Sequence, residues 1–510
     1  MNQFYELATR ANDDGDSASS IPNILTERTL IIASNRGPVT LRQNESGDLE
    51  YQRGSGGLVT ALAGVIQHAE ARWIACARTT EDKAWSRGLV LLGENDEKVW
   101  MQFLTPSDES YEGHYRVIAN PLLWFLQHSM WNIFREPTID RTIWGHWENG
   151  YVAVNKMFAE AIAHEIATAP HPALVMLQDY HLYLAPSLIR YQLRPKAKYT
   201  LTHFVHIPWP GAEDWGFLPT KMRLAILEGL CAVDLLGFQT REDALNFIRT
   251  CETHLPGAHV NYRQGKVRFR NHITHIRDFP ISIDVDGLKR FAESSEVVSY
   301  RDQLLQLHGD WQIILRIDRI EPSKNIVRGF QAFDELLELH PEHRGKVKFL
   351  ALLVPSRLGV DEYGSYLDEV MGVAGRVNAK YGSHDWEPIR VFVEENFPRA
   401  VACLQIYDVL LANSIADGMN LVAKEGPIAN CRNGVLVLSE RTGAYQQLEP
   451  GVLVVSPLDI YGTAEAIHQA LTMPSEERRE RAERLRSLIE QQDIVDWLHQ
   501  QLRAIVNLNL

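Results

Sequence analysis

Leu174-Val175-Met176-Leu177-Gln178-Asp179-Tyr180-His181-Leu182 passes from four consecutive apolar residues straight into a polar turn, and this stretch decides the fold. An apolar run without alternation belongs to a strand covered on both faces, the condition of an interior strand in a parallel sheet. The polar residues then stand at its carboxyl end. In open parallel sheets ligands gather there, in the loops that lead into helices. The same grammar recurs outward from this point. Leu30-Ile31-Ile32-Ala33-Ser34 precedes it and Phe204-Val205-His206-Ile207 follows. Farther on come Ile313-Ile314-Leu315, the run 347–353 (VKFLALL) and Val409-Leu410-Leu411-Ala412. Helical stretches separate these runs, so the series predicts an α/β chain with two doubly wound, Rossmann-like domains facing a central cleft.

The two series of strands part at Phe279-Pro280-Ile281-Ser282-Ile283-Asp284, a proline-bearing extended stretch. We therefore expect a flexible tail over 1–27, a first domain over 28–282 and a second over 283–486. A closing helix over 487–510 is expected to pack back on the first domain. A chain of 510 residues exceeds what one core comfortably holds. After Pro474, Ser475-Glu476-Glu477-Arg478-Arg479-Glu480-Arg481 reads as a helix opening with Ser475 at its N-cap. Its charges alternate in sign, which marks a solvated face rather than an RNA-binding arm.

Composition narrows the function. With 45% hydrophobic and 23% charged residues the chain is of the soluble globular class. A formal net charge of −14 argues against general affinity for nucleic acid or an anionic membrane. It leaves room for a few arginines in a cleft to hold a phosphorylated small molecule. Cys76, Cys231, Cys251, Cys403 and Cys431 are scattered and form no CxxC pair, which fits a reducing cytoplasm better than a disulfide framework or structural zinc. The acidic start lacks the basic and apolar regions of a signal peptide, and no apolar run reaches membrane-span length.

Five strand-end segments carry candidate chemistry. Ser34-Asn35-Arg36-Gly37-Pro38-Val39, followed by Arg53-Gly54-Ser55-Gly56-Gly57-Leu58, pairs an arginine with glycines that let backbone N–H groups approach a ligand oxygen. A tight turn needing positive φ is the plainer reading. In Gln178-Asp179-Tyr180-His181-Leu182 the carboxylate can orient or deprotonate a hydroxyl, or simply cap a helix. His203-Phe204-Val205-His206-Ile207-Pro208-Trp209-Pro210 invites a zinc reading. Residues three apart on a strand point to opposite faces, so one histidine aimed at a sugar or phosphate oxygen is the better assignment, with no metal.

The second half contributes the other two segments. In Arg316-Ile317-Asp318-Arg319-Ile320-Glu321-Pro322-Ser323-Lys324-Asn325, Arg319 and Lys324 can place two cations on one diphosphate. That is the requirement for departure of a nucleoside diphosphate without a metal. A salt-bridge cluster with Asp318 and Glu321 is the alternative. In Asp417-Gly418-Met419-Asn420-Leu421-Val422-Ala423-Lys424-Glu425 a glycine turn opens a helix whose free N–H groups can hold phosphate. Glu425, read as two turns in, could accept from a ribose diol.

Taken in order, the five segments resemble the trehalose-6-phosphate synthase family of retaining glycosyltransferases, from about Leu30 to the end of the chain. Residues 115–124 (YRVIANPLLW), 234–240 (DLLGFQT) and Pro355-Ser356-Arg357 match as well. The resemblance implies the two-domain GT-B fold, no cofactor, and a nucleotide-glucose substrate (UDP-, GDP- or ADP-). It implies that Arg319 and Lys324 bind and stabilise the leaving diphosphate. Asp417, Gly418, Met419, Asn420 and Leu421 would hold donor glucose and phosphate, with Glu425 on the ribose, Phe397 at the base, and Gly56 and Gly57 also on the donor. His206 would contact the transferred sugar, and Asp179 the reacting region between donor and acceptor. Arg36, Tyr115 and Arg357 would grip the acceptor phosphate beside Trp124.

Two positions depart from the family pattern. Cys76 stands where a tryptophan usually faces the acceptor sugar, and Gln178 replaces the usual histidine before Asp-Tyr-His-Leu. Glucose 6-phosphate is the first expected acceptor, giving trehalose 6-phosphate, with a cyclitol phosphate or glycerol 3-phosphate as alternatives. His206-Ile207-Pro208-Trp209-Pro210 and Pro322-Ser323-Lys324-Asn325 are similar to the branch that makes validoxylamine 7'-phosphate. A sugar phosphorylase would need a pyridoxal-phosphate lysine or a phosphate site that no motif supplies. A non-catalytic sugar-phosphate sensor would have little use for the intact diphosphate residues. Partners are expected to be small molecules, not nucleic acid or membrane, with self-association left open.

Overall fold

The computed structural model describes residues 27–43, 49–53, 71–91, 98–134, 136–193, 197–308, 311–356 and 361–508. Apart from Glu27, the expected tail lies outside these residues, as do Gly56, Gly57 and Arg357.

The first half supplies β1 (Thr29–Ala33), β2 (Val39–Gln43), β3 (Leu49–Arg53), β4 (Ala71–Cys76), β5 (Arg87–Leu91) and β6 (Lys98–Leu104). After a helical stretch follow β7 (Ala173–Gln178), β8 (Tyr199–Val205), β9 (Leu235–Phe238), β10 (His259–Asn261), β11 (Lys266–Phe269) and β12 (His272–Asp278). The second half supplies β13 (Gln312–Arg319), β14 (Val347–Val354), β15 (Ile389–Val393), β16 (Val409–Ala412), β17 (Val435–Ser439) and β18 (Leu453–Val455).

Among the described residues these strands build two main sheets. The first runs β10-β11-β12-β9-β8-β7-β1-β4-β6-β5 and the second β15-β14-β13-β16-β17-β18, while β2 and β3 form a separate antiparallel hairpin. Every pairing in the second sheet is parallel. In the first sheet the parallel pattern holds from β6 to β12, but β5 returns against β6, and β11 pairs antiparallel with both β10 and β12. These antiparallel edges lie outside the parallel pattern that the apolar runs implied. Strands joined by a tight turn can only pair antiparallel, and Arg270, at φ 54°, turns the chain between β11 and β12.

Burial follows the apolar runs. Every residue of β1 and β7 is buried, as is β14 up to its last residue. A strand covered on both faces has no room for polar alternation, so its chemistry is confined to its ends. One apolar cluster joins Leu30 and Ile32, the linker residues Phe279, Ile281 and Ile283, the helix Phe397–Ile406 and Trp497. The last helix, Ile494–Val506, clasps this linker. Trp497 Nε1 donates to the Phe279 carbonyl at 3.0 Å, its ring meets Phe204 edge-on at 5.4 Å, and Ile494 N–H donates to the Ile283 carbonyl at 3.1 Å.

Two local expectations need correction. The helix Ser475–Glu490 is capped by Pro474, in extended conformation, with Ser475 already inside the helix, so serine makes no cap. The helix after Asp417 begins only at Val422, which puts Glu425 in its first turn rather than two turns in. Asn420 is the cause: at φ 67° it cannot continue a right-handed helix, and its Oδ1 accepts from Ala423 N–H at 3.1 Å to cap the helix behind it. Among the described residues no helix is long and apolar enough to cross a membrane.

Candidate active site

The loop after β13 is built around a charge that never reaches solvent. Arg316 is fully buried. Its Nε donates to Asp318 Oδ2 and its Nη2 to both the Lys324 carbonyl and Asn413 Oδ1, each at 2.7 Å. Asn325 adopts φ 60° and donates from Nδ2 to the carbonyls of Asn413 (2.9 Å) and Pro457 (2.6 Å). These bonds pin the turn that carries Lys324. The Lys324 ammonium forms an ion pair and hydrogen bond with Asp417 Oδ2. Burial would pull this amine down, but Asp417 and Asp318 outweigh it and hold Lys324 above the ordinary lysine range. Arg319, in contrast, is half exposed and pairs with the buried Glu321 at 3.2 Å. The surface cluster considered from sequence is thus two different pairs, one buried (Arg316–Asp318) and one at the cleft (Arg319–Glu321).

Asp417 begins the second loop. Its Oδ2 also accepts from Ser414 Oγ (3.3 Å) and Asn420 Nδ2 (3.2 Å). Met419 and Asn420 are buried, while Leu421 is partly exposed at the start of the helix Val422–Ala429. Burial pushes the Glu425 carboxyl up to about 7, and pushes the neighbouring Lys424 amine down to about 7. Phe397 stands at the first position of its helix, half exposed and stacked on Phe291 at 5.2 Å, an aromatic platform open to solvent.

In the first half, Asp179 takes φ 70° and ψ 174° just past β7, a strained setting for a residue with a Cβ. Its backbone is fixed on both sides. Asp179 N–H donates to the Phe204 carbonyl at 2.7 Å, and its own carbonyl accepts from His203 Nε2 at 3.0 Å. His203 therefore faces backbone and His206 lies beyond the strand end, so the two histidines have separate partners. His206 Nε2 meets Gln178 Oε1 at 2.9 Å, and burial pushes its ring down to about 3. A neutral His206 can donate one hydrogen bond without introducing charge.

Arg36, exposed just past β1, donates from Nη2 to the Tyr115 hydroxyl at 2.8 Å. Tyr115 stacks on His181 at 5.8 Å, and Trp124 packs near Tyr180 at 5.6 Å and on His128 at 4.0 Å. His128 in turn feels Asp417, Glu321 and Lys324 electrostatically. His128, stacked on Trp124, thus stands within electrostatic reach of the Lys324–Asp417 pair. A cavity of about 370 Å³ beside Tyr115 is lined by Arg78, Lys83, Tyr111 and Arg116 among others. Cys76 is completely buried.

The halves also touch directly. A Cβ on Gly418 would fall 1.9 Å from the His206 carbonyl oxygen, so the loop after Asp417 lies against the β8 end with backbone on backbone. Sequence reasoning brought Arg36, Tyr115, Trp124, Asp179, His206, Arg319, Lys324, Asp417, Gly418 and Glu425 forward. It did not single out Arg316, Asn413, Gln239 or Lys424. Gln239 and Lys424 sit inside the distinctive runs 234–240 and 417–425, and a buried polar residue in an otherwise apolar segment was the available signal. Among the described residues, His340, Glu342 and His468 could bring ligand atoms within 4.8 Å of one another. The His340 and His468 rings are co-facial at 3.6 Å, so their lone pairs run side by side rather than converge.

Comparison with known proteins agrees with this geometry. The family model described as glycosyltransferase family 20 matches residues 28–507. An alpha,alpha-trehalose-phosphate synthase [UDP-forming] of Pichia angusta is 34% identical over 490 residues, covering 93% of this chain and 98% of that one. The Candida albicans protein of the same name is 32% identical over 466 residues, covering 89% and 92%. A bifunctional trehalose-6-phosphate synthase/phosphatase of Thermoproteus tenax is 33% identical over 483 residues, and the match takes in 92% of this chain but 62% of that longer protein. Among solved structures, trehalose-6-phosphate from E. coli bound with UDP-2-fluoro glucose superposes with TM-score 0.79 at 26% identity, covering 93% of this chain and 99% of that one. An alpha,alpha-trehalose-phosphate synthase (UDP-forming) from Burkholderia xenovorans in complex with glucose-6-phosphate gives 0.79 at 25%, covering 95% and 100%. The two α/β sheets are the GT-B architecture of these solved structures, and with the family model matching nearly its whole length the chain belongs to glycosyltransferase family 20.

Proposed function

We propose that this chain moves glucose from UDP-glucose to glucose 6-phosphate with retention, releasing UDP and trehalose 6-phosphate. The observation that carries the reading is the contact between the halves: the loop of Asp417, which pairs with Lys324, packs through Gly418 against the His206 backbone at the end of β8, and the Arg36–Tyr115 pair stands past the end of β1 in the same sheet. The second half, 283–486, holds the donor, with Phe397 at the base, Glu425 at the ribose and residues 417–421 at glucose and phosphate. The first half, 28–282, holds the acceptor phosphate on Arg36 and Tyr115, joined by Arg357, and Gly56 and Gly57 border the donor. The closing helix steadies the linker between them.

As the anomeric carbon–oxygen bond breaks, its electron pair goes to the departing diphosphate, whose growing charge Arg319 and Lys324 stabilise. The acceptor hydroxyl oxygen bonds to the anomeric carbon from the same face, and its proton passes to the leaving phosphate oxygen. Asp179 and the neutral His206 orient the reacting groups. No nucleophile of the protein is used, and the configuration is kept. Five free thiols support a reducing, cytoplasmic setting.

The test is a matrix of UDP-, GDP- and ADP-glucose against glucose 6-phosphate, glycerol 3-phosphate and a cyclitol phosphate, scored by product mass. UDP release with trehalose 6-phosphate formation is expected. Absence of any glycosyl product across the matrix would overturn the reading, and a product confined to another acceptor would transfer the role of Cys76 and Gln178 to that substrate.

A further inference from the structure

The linker between the halves is held from both sides at one residue. Ile281 N–H donates to Gln239 Oε1 at 2.9 Å, and the Ile281 carbonyl accepts from the buried Lys424 Nζ at 2.8 Å. A backbone N–H can only donate, so Gln239 must turn its oxygen to Ile281 and its NH₂ the other way. That NH₂ lies 3.4 Å from His206 Nδ1. An amide NH₂ also only donates, so Nδ1 must be the bare acceptor, and the single proton of the neutral ring sits on Nε2. Nε2–H then donates to Gln178 Oε1 at 2.9 Å. Gln178 and Gln239 are both buried. At 3.4 Å the contact to Nδ1 is long, so its weight is in orientation rather than energy.

We propose that Gln239 is a positioning residue that fixes His206 as the Nε2–H tautomer and ties its ring, through Ile281 and Lys424, to the helix of the second half that carries Glu425. The inference rests on the reading that His206 faces the transferred sugar. It adds which nitrogen carries the ring proton and which partner that proton is held by, and it makes the ring's orientation dependent on the linker about which the halves would move. The other groups facing His206 are His203 behind it, the Phe204 ring at 4.6 Å, and the Asp179 carboxylate, whose Oδ1 accepts from His206 N–H at 3.4 Å.

Gln239→Glu and Gln239→Leu separate positioning from structure. A glutamate at 239 keeps the acceptor for Ile281 N–H but cannot donate to Nδ1, so it draws a proton onto Nδ1 and stabilises the imidazolium. Leucine removes the partner without adding charge. In full-length protein labelled with ¹⁵N-histidine, with His206→Gln for assignment, the native ring should show Nε2–H and Gln239→Glu should show protonated Nδ1. In Gln239→Glu, kcat should fall about tenfold at neutral pH with acceptor KM unchanged, and should acquire a new acid limb. Gln239→Leu should lose rate without that limb. A native ring protonated on Nδ1, or identical pH profiles for the two variants, would overturn the proposal. The ring signal is read without turnover, so it stands or falls separately from the acceptor assignment.

Discussion

Gly418→Ala tests whether the cleft is set by backbone contact. The added Cβ would stand 1.9 Å from the His206 carbonyl oxygen, 3.0 Å from its carbonyl carbon and 3.2 Å from Ile207 Cα. Ordinary contact begins at 3.4 Å, so the loop or the strand end must retreat by about 1.5 Å. Neither gives way easily. Behind the loop, a Cβ on Gly443 would already be 1.9 Å from the Gly418 carbonyl oxygen, and in front His206 is held by Gln178 and Gln239. Alanine therefore widens the gap between the Lys324–Asp417 pair and His206. A misplacement of about 1 Å costs on the order of 10² in rate, so kcat should fall about 100-fold. Overpacking should cost about 1–3 kcal/mol of stability. Initial rates of UDP release, with denaturant unfolding in parallel, read both effects. Gly375→Ala, in the helix Asp361–Tyr381 with nothing within 4 Å of its new Cβ, is the control and should stabilise by about 0.5–1 kcal/mol. A folded Gly418→Ala protein whose kcat stays within about threefold of the native value would refute the reasoning.

Lys324→Ala should lower kcat by about 10²–10³ while the fold survives, because the proposed mechanism sets this cation on the leaving diphosphate; a near-native rate of UDP release would remove that residue from the mechanism. Arg316→Met should lose about 3–5 kcal/mol in denaturant unfolding, since it strands the buried Asp318 carboxylate. With burial holding the Glu425 carboxyl at about 7, the ionised form, which the proposed function sets against the donor ribose, gains population as pH rises. Apparent donor affinity should therefore improve about tenfold between about pH 6 and pH 8, and Glu425→Gln should flatten that dependence in a series of donor KM values. The sign for stability is opposite. The native state holds an extra proton between the ordinary 4.5 and about 7, so the ligand-free protein loses stability as pH rises across that window.

The strands were legible because double burial forces unbroken apolar runs, and β1, β7, β13 and β14 stand where those runs placed them. The active-site loops were legible for a related reason: a strand with an apolar body can present Asp179 or Asp417 only past its end, and Arg319 only as its last residue. Less visible were the antiparallel edges, because β10 and β11 are short and alternate like surface hairpins. Helix starts were misplaced where one asparagine or proline backbone decided them. Asn420 at φ 67° delays its helix to Val422, and periodicity carries no record of that angle. Long-range partners were out of reach altogether. Nothing local to Arg316 announces Asn413, and nothing local to Gln239 announces Ile281.

Those long-range partners explain why the site needs so many buried polar groups. Catalysis by orientation and charge stabilisation works only if the charges are in place before substrate arrives. A long side chain such as Lys324 has rotamer freedom that must be removed first. Here the Arg316 network fixes the turn beneath Lys324, and Asp417 holds its ammonium across the loop. In the other half Gln178 and Gln239 do the same for His206. Both arrangements reach the linker or the strand ends through backbone carbonyls and N–H groups, whose positions the sheets determine. Substitutions that spare the reacting side chains but cut these bonds should therefore lower kcat in proportion to the freedom they restore, even where the fold is intact.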